Sequence, residues 1–292
     1  MIIGHKKQLG YLQKMVKTQK IPHALLFCGP AKVGKKTVAI EFLKNFFSED
    51  LFSHPDFIYL EPLESEIQIA QIRDLNWKLA LKPFSAPQKA VILDQAHLMN
   101  QEAQNCFLKT LEEPRGDTFL ILVTEYPDRL LPTIRSRVQT IKFFPVEKKE
   151  IKSYLQGIKL AEKEMNLLSE LSRGRPGIAL DFLSKPERLA DYKKRIREIT
   201  GISGADLGRR LQYAKDLSQE DDVPEVLNIW LDFFRNVMLS RLGLQKKWVL
   251  LKREHPLEKI KVILKNIQTT IFLITTTNVN KKLALELLLI EM

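Results

Sequence analysis

The first half of the chain alternates short apolar runs with stretches of helical periodicity. The runs are rich in Val, Ile, Leu and Phe and are too short for helices, which is typical of strands buried on both faces of a sheet. They cover residues 24–28, 57–60, 90–93, 119–123 and 139–143. Strands that alternate with helices in this way predict an α/β domain with a five-stranded parallel sheet covered by helices.

A glycine-rich segment joins the first predicted strand to a predicted helix over residues 38–47. Residues 29–37 read GPAKVGKKT, which matches the phosphate-binding pattern G-x-x-x-x-G-K up to Lys35. In that pattern the backbone amides and the lysine cradle phosphates, and a following Ser or Thr ligates Mg²⁺. Lys36 stands at the Ser/Thr position, and Thr37 lies about 100° further around the helix. The segment is therefore a degenerate Walker A motif, and its candidate nucleotide-binding residues are Gly29, Gly34, Lys35 and Thr37.

The end of the third predicted strand carries a second part of such a site. P-loop enzymes keep a metal-binding carboxylate and a water-activating base at this point. Asp94 supplies the carboxylate and is a further candidate nucleotide-site residue, but Gln95 stands at the position of the base. An amide can hydrogen-bond a water molecule but cannot accept its proton at neutral pH. Asp94 alone could also be a helix cap; beside the loop it indicates a degenerate Walker B motif.

The strand pattern stops after Pro145. Helical patterns follow over residues 147–157, 162–173, 177–183 and 186–199. Glycines and serines over 200–206 then predict a linker, and apolar residues at helical spacing predict a second helical bundle that ends in a helix over 283–290, capped by Asn280. The predicted domains are an α/β domain over 1–145, a helical lid over 146–203 and an all-α domain over 204–292.

Composition restricts the class of protein further. The 292 residues carry a net charge of +11, from 46 basic and 35 acidic residues, which favours a nearby polyanion but not a basic tail. Cys28 and Cys106 are the only cysteines and the five histidines have no ligand spacing, so neither a disulfide framework nor a zinc site is expected. Without a signal-peptide pattern or an apolar run that spans a bilayer, the chain is expected to be cytoplasmic, with no membrane contact.

Several further segments resemble, in the same order, the clamp-loader branch of the AAA+ ATPases. They read IPHALLF at 21–27, HPDF at 54–57, LKTLEEP at 108–114 with Asn100 before it, and LPTIRSR at 131–137. The resemblance covers residues 1–185 with specific motifs and extends less specifically to the Asn278-Val279-Asn280 segment and the final helix. Many family members insert a four-cysteine zinc module before the HPDF segment, whereas residues 46–53 here are too few and contain no cysteine.

The resemblance also implies what Arg137 and Gly177 correspond to in the family. The family's Ser-Arg-Cys motif is matched by Ser136-Arg137-Val138; in the family this arginine crosses a subunit boundary and completes the ATP site of a neighbouring motor subunit. A guanidinium suits the charge that develops on a transferring phosphoryl group, so the resemblance implies that Arg137 is an arginine finger acting in trans, with a surface ion pair as the alternative. Gly177 falls where active motors have a sensor arginine, which is similar to non-motor members and unlike gamma/tau motors.

The resemblance implies a non-motor subunit of the bacterial replicative clamp loader, part of the DNA polymerase III holoenzyme and without an ATPase of its own. It would help to assemble the ring that loads the sliding clamp on primed DNA. The implied partners are gamma/tau-like motor subunits, a delta-like subunit and, through the complex, the clamp and primed DNA. The alternative is an active gamma/tau-like ATPase motor.

ATP is possible but not required, no zinc is expected, and Mg²⁺ is not expected. Lys35 and the loop amides could hold phosphates, with Lys36 replacing part of the metal charge, or the bulky Lys36 could block the pocket.

The second half also contains a basic cluster and a group of aromatic residues. The basic cluster at 193–197 is predicted to be a solvated helix face rather than a DNA contact. Trp230, Phe233 and Phe234 lie at helical spacing and are predicted to belong to a core or subunit interface rather than to a base-stacking platform.

Overall fold

The computed structural model describes residues 2–47, 50–113, 118–158, 160–244, 256–277 and 279–292. The described residues form two compact units, Met1–Ser184 and Lys185–Met292. Among them, no helix combines the length and the apolar character that crossing a bilayer requires. Two residues of the family-like segments, Pro114 and Asn278, lie outside the described residues.

The first unit contains one sheet of five strands. These are β1 (Ala24–Cys28), β2 (Phe57–Leu60), β3 (Lys89–Leu93), β4 (Thr118–Thr124) and β5 (Gln139–Lys142). Their order is β2-β3-β4-β1-β5, and every neighbouring pair is parallel. The predicted five-stranded parallel sheet is confirmed, and β1 and β2 begin and end at the predicted residues.

Helices connect and cover the strands of this sheet. They are α1 (Lys6–Lys17), α2 (Lys35–Leu43), α3 (Ile69–Ala80), α4 (Gln101–Glu112), α5 (Pro132–Arg135), α6 (Lys148–Gln156), α7 (Glu162–Leu171) and α8 (Pro176–Ser184). The helix predicted over 38–47 begins and ends earlier, at Lys35 and Leu43; it starts directly after Gly34, whose φ is 108°.

The apolar runs of the sequence follow from burial on both faces of the sheet. Successive side chains of a strand point to opposite faces, and in β1 Leu25 and Phe27 pack into one core cluster while Leu26 and Cys28 pack into the other. All five residues of β1 are buried. Because neither face meets water, the strand has no polar position to alternate with the apolar ones.

The second unit is entirely helical within its described residues. Its helices are α9 (Pro186–Ile202), α10 (Leu207–Leu217), α11 (Val223–Arg241), α12 (Leu257–Thr276) and α13 (Lys281–Ile290). Trp230, Phe233 and Phe234 are fully buried on α11, which confirms their prediction as core residues. Asn280 caps α13 as predicted, since its side-chain oxygen accepts a hydrogen bond from the Leu283 amide at 3.2 Å.

Two expectations about the second half need correction. The first three residues of the predicted linker over 200–206 are the last turn of α9, and sequence periodicity did not indicate α10. Arg195 is buried rather than solvated. Its guanidinium donates to Glu198 at 3.1 Å and to Glu220 at 3.0 Å, so its charge is paired. The predicted domain boundaries at 145/146 and 203/204 stay predictions.

Asp56, from the HPDF segment, anchors a loop to the start of β2. Its buried carboxylate accepts hydrogen bonds from three consecutive amides, those of Phe84 at 2.7 Å and of Ser85 and Ala86 at 2.9 Å. Burial raises the pKa of Asp56, but these three donors stabilise the charged form and the pKa lies below its ordinary value. The segment therefore has a structural role that its sequence did not reveal.

We expect Asp56→Asn to lower the free energy of unfolding by about 3 kcal/mol at neutral pH, because an amide cannot satisfy three donors. Since the carboxylate has a lower pKa in the folded chain, its contribution is fully present above the unfolded pKa of about 3.9 and is lost as pH falls through the folded pKa. Urea unfolding of both proteins across this range would measure the difference, which should shrink in acid. Asp74→Asn is the control, because Asp74 is in an exposed pair with Lys78. A pH-independent difference would contradict the prediction.

Candidate nucleotide-binding site

A cavity of about 400 Å³ lies at the edge of the sheet where β1, β3 and β4 end. Parallel strands place their carboxyl ends at one edge, so the segments that follow them meet there. The cavity brings together nearly all the residues that the degenerate motifs predicted. These are Gly34, Lys35, Lys36, Thr37, Asp94, Gln95 and Gly177.

Gly29 does not line the cavity but lets the loop leave β1 close to the chain that follows β5. Its φ is 148°, and a Cβ atom at this position would lie 2.2 Å from the carbonyl oxygen of Phe143. The Phe143 amide donates to the Cys28 carbonyl at 2.7 Å. Only glycine allows this approach of two backbones.

The loop itself offers donors to an anion. Lys35 is 6% exposed, and its ammonium donates to the carbonyls of Gly29 at 2.8 Å and Pro30 at 2.7 Å. Burial lowers the pKa of Lys35, against the opposing effect of Glu125 and Asp94. Within the described part of the chain, the amides of Gly34, Lys35 and Lys36 donate no hydrogen bond, so three N–H groups at the start of α2 remain for a ligand.

Lys36 reaches across the cavity edge to the carboxylate of the degenerate Walker B motif. Its ammonium lies 3.3 Å from Asp94 Oδ2 and 4.0 Å from Glu61 Oε2. It also donates to the hydroxyl of Tyr59, which lies 2.8 Å from Asp94 Oδ2 and 3.0 Å from Glu61 Oε2. The sequence did not predict that Lys36 would contact Asp94, or that Tyr59 and Glu61 would join them.

A magnesium ion does not fit this arrangement. Mg²⁺ binds carboxylate oxygens at about 2.0–2.1 Å with near-octahedral geometry. Asp94 Oδ1 accepts the Gln95 amide at 3.0 Å, and Asp94 Oδ2 faces both the Tyr59 hydroxyl and the Lys36 ammonium. A divalent ion beside this carboxylate would meet a fixed positive charge, and no hydroxyl ligand stands at position 36.

The structure adds residues to the site that sequence reasoning missed. Thr124, the last residue of β4, and Glu125, which follows it, line the cavity; the rule that located Asp94 after β3 could have located them too. The Thr124 hydroxyl lies 3.1 Å from His97 Nδ1, and burial lowers the pKa of His97. His5 Nε2 bonds the Val33 carbonyl at 2.7 Å, a contact across 28 residues that no local pattern signals.

Helix α8 is fixed directly to the phosphate loop. The Gly177 amide donates to the Lys32 carbonyl at 2.9 Å, and the Lys32 ammonium pairs with Asp181. A Cβ atom on Gly177 would lie 3.0 Å from both Cβ and O of Lys32. Gly177, the position at which the resemblance implies a missing sensor arginine, thus makes a close backbone contact with the phosphate loop.

Arg137, the predicted finger, lies away from this cavity. Its side chain is 36% exposed, and Nη2 pairs with Glu112 Oε1 at the end of α4, at 2.8 Å. Nη1 donates to the Thr133 carbonyl at 3.0 Å. Arg135 pairs separately with Asp128 at 2.7 Å, so the two arginines have different partners.

The sheet order, the phosphate loop after β1 and the carboxylate after β3 define a P-loop domain of the AAA+ class. The family model described as "DNA polymerase III, delta subunit" matches residues 4–147. DNA polymerase III subunit delta' of Pseudomonas aeruginosa is 37% identical over 134 residues, 39% of this chain and 41% of that protein. The same subunit of Bacillus subtilis is 27% identical over 249 residues, 80% of this chain and 71% of that protein. The family model over residues 4–147 and the two relatives support a delta-prime-like clamp-loader subunit.

A solved structure agrees with this assignment at the level of the fold. The gamma subunit-related protein of DNA polymerase III from Thermotoga maritima superposes with a TM-score of 0.54 at 20% identity, with 97% of each chain covered. At this identity the likeness supports the architecture alone.

We expect Gly177→Ala to lower the free energy of unfolding by about 1–2 kcal/mol, because the new methyl group crowds the Lys32 backbone. Gly10→Ala is the matched control: Gly10 lies in α1 with open space around it, so alanine should raise the stability by up to about 1 kcal/mol. Urea denaturation of the three proteins would measure both shifts. If Gly177→Ala raised the stability as Gly10→Ala does, the contact between α8 and the loop would not be tight.

Proposed function

We propose that the chain is a non-motor subunit of the bacterial replicative clamp loader. In this role it helps to assemble the ring that loads the sliding clamp on primed DNA, and Arg137 completes the ATP site of a neighbouring motor subunit. The proposed partners are gamma/tau-like and delta-like subunits, with the clamp and DNA reached through the complex. The chain itself needs no ATP turnover for this role.

The observation that carries the non-motor role is the ion pair between Lys36 and Asp94. Motor P-loop proteins use the equivalent carboxylate to hold a metal ion that neutralises charge developing on the phosphoryl group. Here the carboxylate faces an ammonium at 3.3 Å. Gln95 adds no general base and Gly177 adds no guanidinium, and the loss of such groups typically removes several powers of ten in rate.

The surroundings of Arg137 support a role outside its own subunit. It is not among the residues that line the cavity, so its guanidinium is not placed to act on a nucleotide there. Its pair with Glu112 is exposed, with side-chain exposures of 36% and 47%. Such a pair contributes about 0–1 kcal/mol, whereas a guanidinium binds phosphate oxygens through charge-assisted hydrogen bonds. Arg137 can therefore exchange Glu112 for a neighbour's phosphate at little cost.

We expect Arg137→Ala to reduce the ATPase rate of the complex assembled with motor subunits, clamp and primed DNA, by up to about 10³-fold at the site that it serves. Arg135→Ala is the matched control, because Arg135 is similarly exposed and pairs with Asp128; it should leave the rate unchanged. Steady-state and single-turnover ATPase assays would make the comparison. An unchanged rate with Arg137→Ala in a fully assembled complex would refute the role in trans.

The isolated chain should hydrolyse ATP no faster than buffer does, because it lacks the base and the metal ligand set. A phosphate-release assay on the purified chain with Mg²⁺ and ATP tests this. Hydrolysis at the rate of a motor subunit would instead favour the alternative, an active gamma/tau-like motor.

A further inference from the structure

Lys36 lines the cavity, and the proposed role of Arg137 in trans does not involve it. Its ammonium is held by three groups from other elements: Asp94, Glu61 and the hydroxyl of Tyr59. It also lies 4.4 Å from the centre of the Tyr59 ring. The Lys36 side chain is 44% exposed, but these contacts bring its charge to the carboxylate of Asp94.

The ammonium at this position offsets negative charge that would otherwise repel a bound phosphate chain. A phosphate chain on the loop would be repelled by Asp94, whose side chain is only 13% exposed, and by Glu125, which also lines the cavity. Metal-dependent sites offset such carboxylates with a divalent ion. Here the offset comes from a cation that is part of the chain.

We propose that the Lys36 ammonium takes the place of the magnesium ion, so that the cavity binds the phosphate chain of a nucleoside triphosphate without a metal. The three amides of Gly34, Lys35 and Lys36 would donate to the phosphate oxygens. Lys35 would exchange the carbonyls of Gly29 and Pro30 for the same anion, and bonds from an ammonium to a charged acceptor are stronger than those to a neutral carbonyl.

This inference goes beyond the proposed function, because it concerns the chain's own cavity and stands whether or not Arg137 acts on a neighbour. The ammonium replaces the charge of a metal but not its chemistry, since it has no coordination position for a water molecule. The site would hold a nucleotide as a structural ligand.

The first test compares binding of a fluorescent analogue, mant-ATP, to the full-length chain in excess Mg²⁺ and in excess EDTA. We expect the Kd to differ by less than about twofold between the two buffers. Inorganic tripolyphosphate should displace the probe in both, because the phosphate chain makes the proposed contacts. Binding only with Mg²⁺, or no binding in either buffer at saturating probe, would overturn the inference.

The second test restores the residue type that ligates a metal. Lys36→Thr should make binding depend on Mg²⁺, with a Kd at least about tenfold lower in Mg²⁺ than in EDTA. Lys44→Thr is the matched control: Lys44 lies at the other end of α2, pairs with Glu41 and should keep equal binding in both buffers. Thermal unfolding of each variant with and without ligand checks that the chain is folded. If Lys36→Thr is folded and binds equally in both buffers, Lys36 does not replace the metal.

Discussion

Parallel pairing of the five strands is the constraint on which the whole site depends. Because β1, β3 and β4 run in the same direction, the loop after β1, the carboxylate after β3 and the Thr124-Glu125 pair at the end of β4 meet at one edge. If one of these strands ran the other way, its terminal side chains would lie at the far end of the sheet. The same pairing requires helical crossovers, and one of them, α2, supplies the amides that face the cavity.

Within this frame, one change of residue type alters what the edge can do. A magnesium ion is exchangeable, carries two charges and can polarise a phosphoryl oxygen. The Lys36 ammonium carries one charge, is covalently attached and has only hydrogen bonds to offer. Substitution of one cation by the other keeps the charge near Asp94 balanced while it removes the means of catalysis. Under the proposed role of Lys36, binding and hydrolysis, which usually occur together in such sites, would be separated by this change.

The sequence predicted those parts of the molecule that depend on local pattern. The strands β1, β3 and β4 were found because burial on both faces leaves an uninterrupted apolar run, and Asn280 was found because a cap lies three residues from its donor. Contacts between distant residues could not be predicted. No periodicity relates His5 to Val33, Lys36 to Tyr59 or Arg137 to Glu112. Arg195 read as part of a solvated basic face because its partner, Glu220, is 25 residues away in the sequence.

The contact between Gly177 and Lys32 has a consequence for the position of a whole helix. A first side-chain carbon at position 177 would lie 3.0 Å from both Cβ and O of Lys32, and Asp181 adds a second attachment on the same helix. Any side chain at position 177 would therefore require α8 and the loop to move apart slightly. The absence of a side chain at this one position sets how closely the last helix of the first unit approaches the phosphate loop, so the loop and the helix are positioned together.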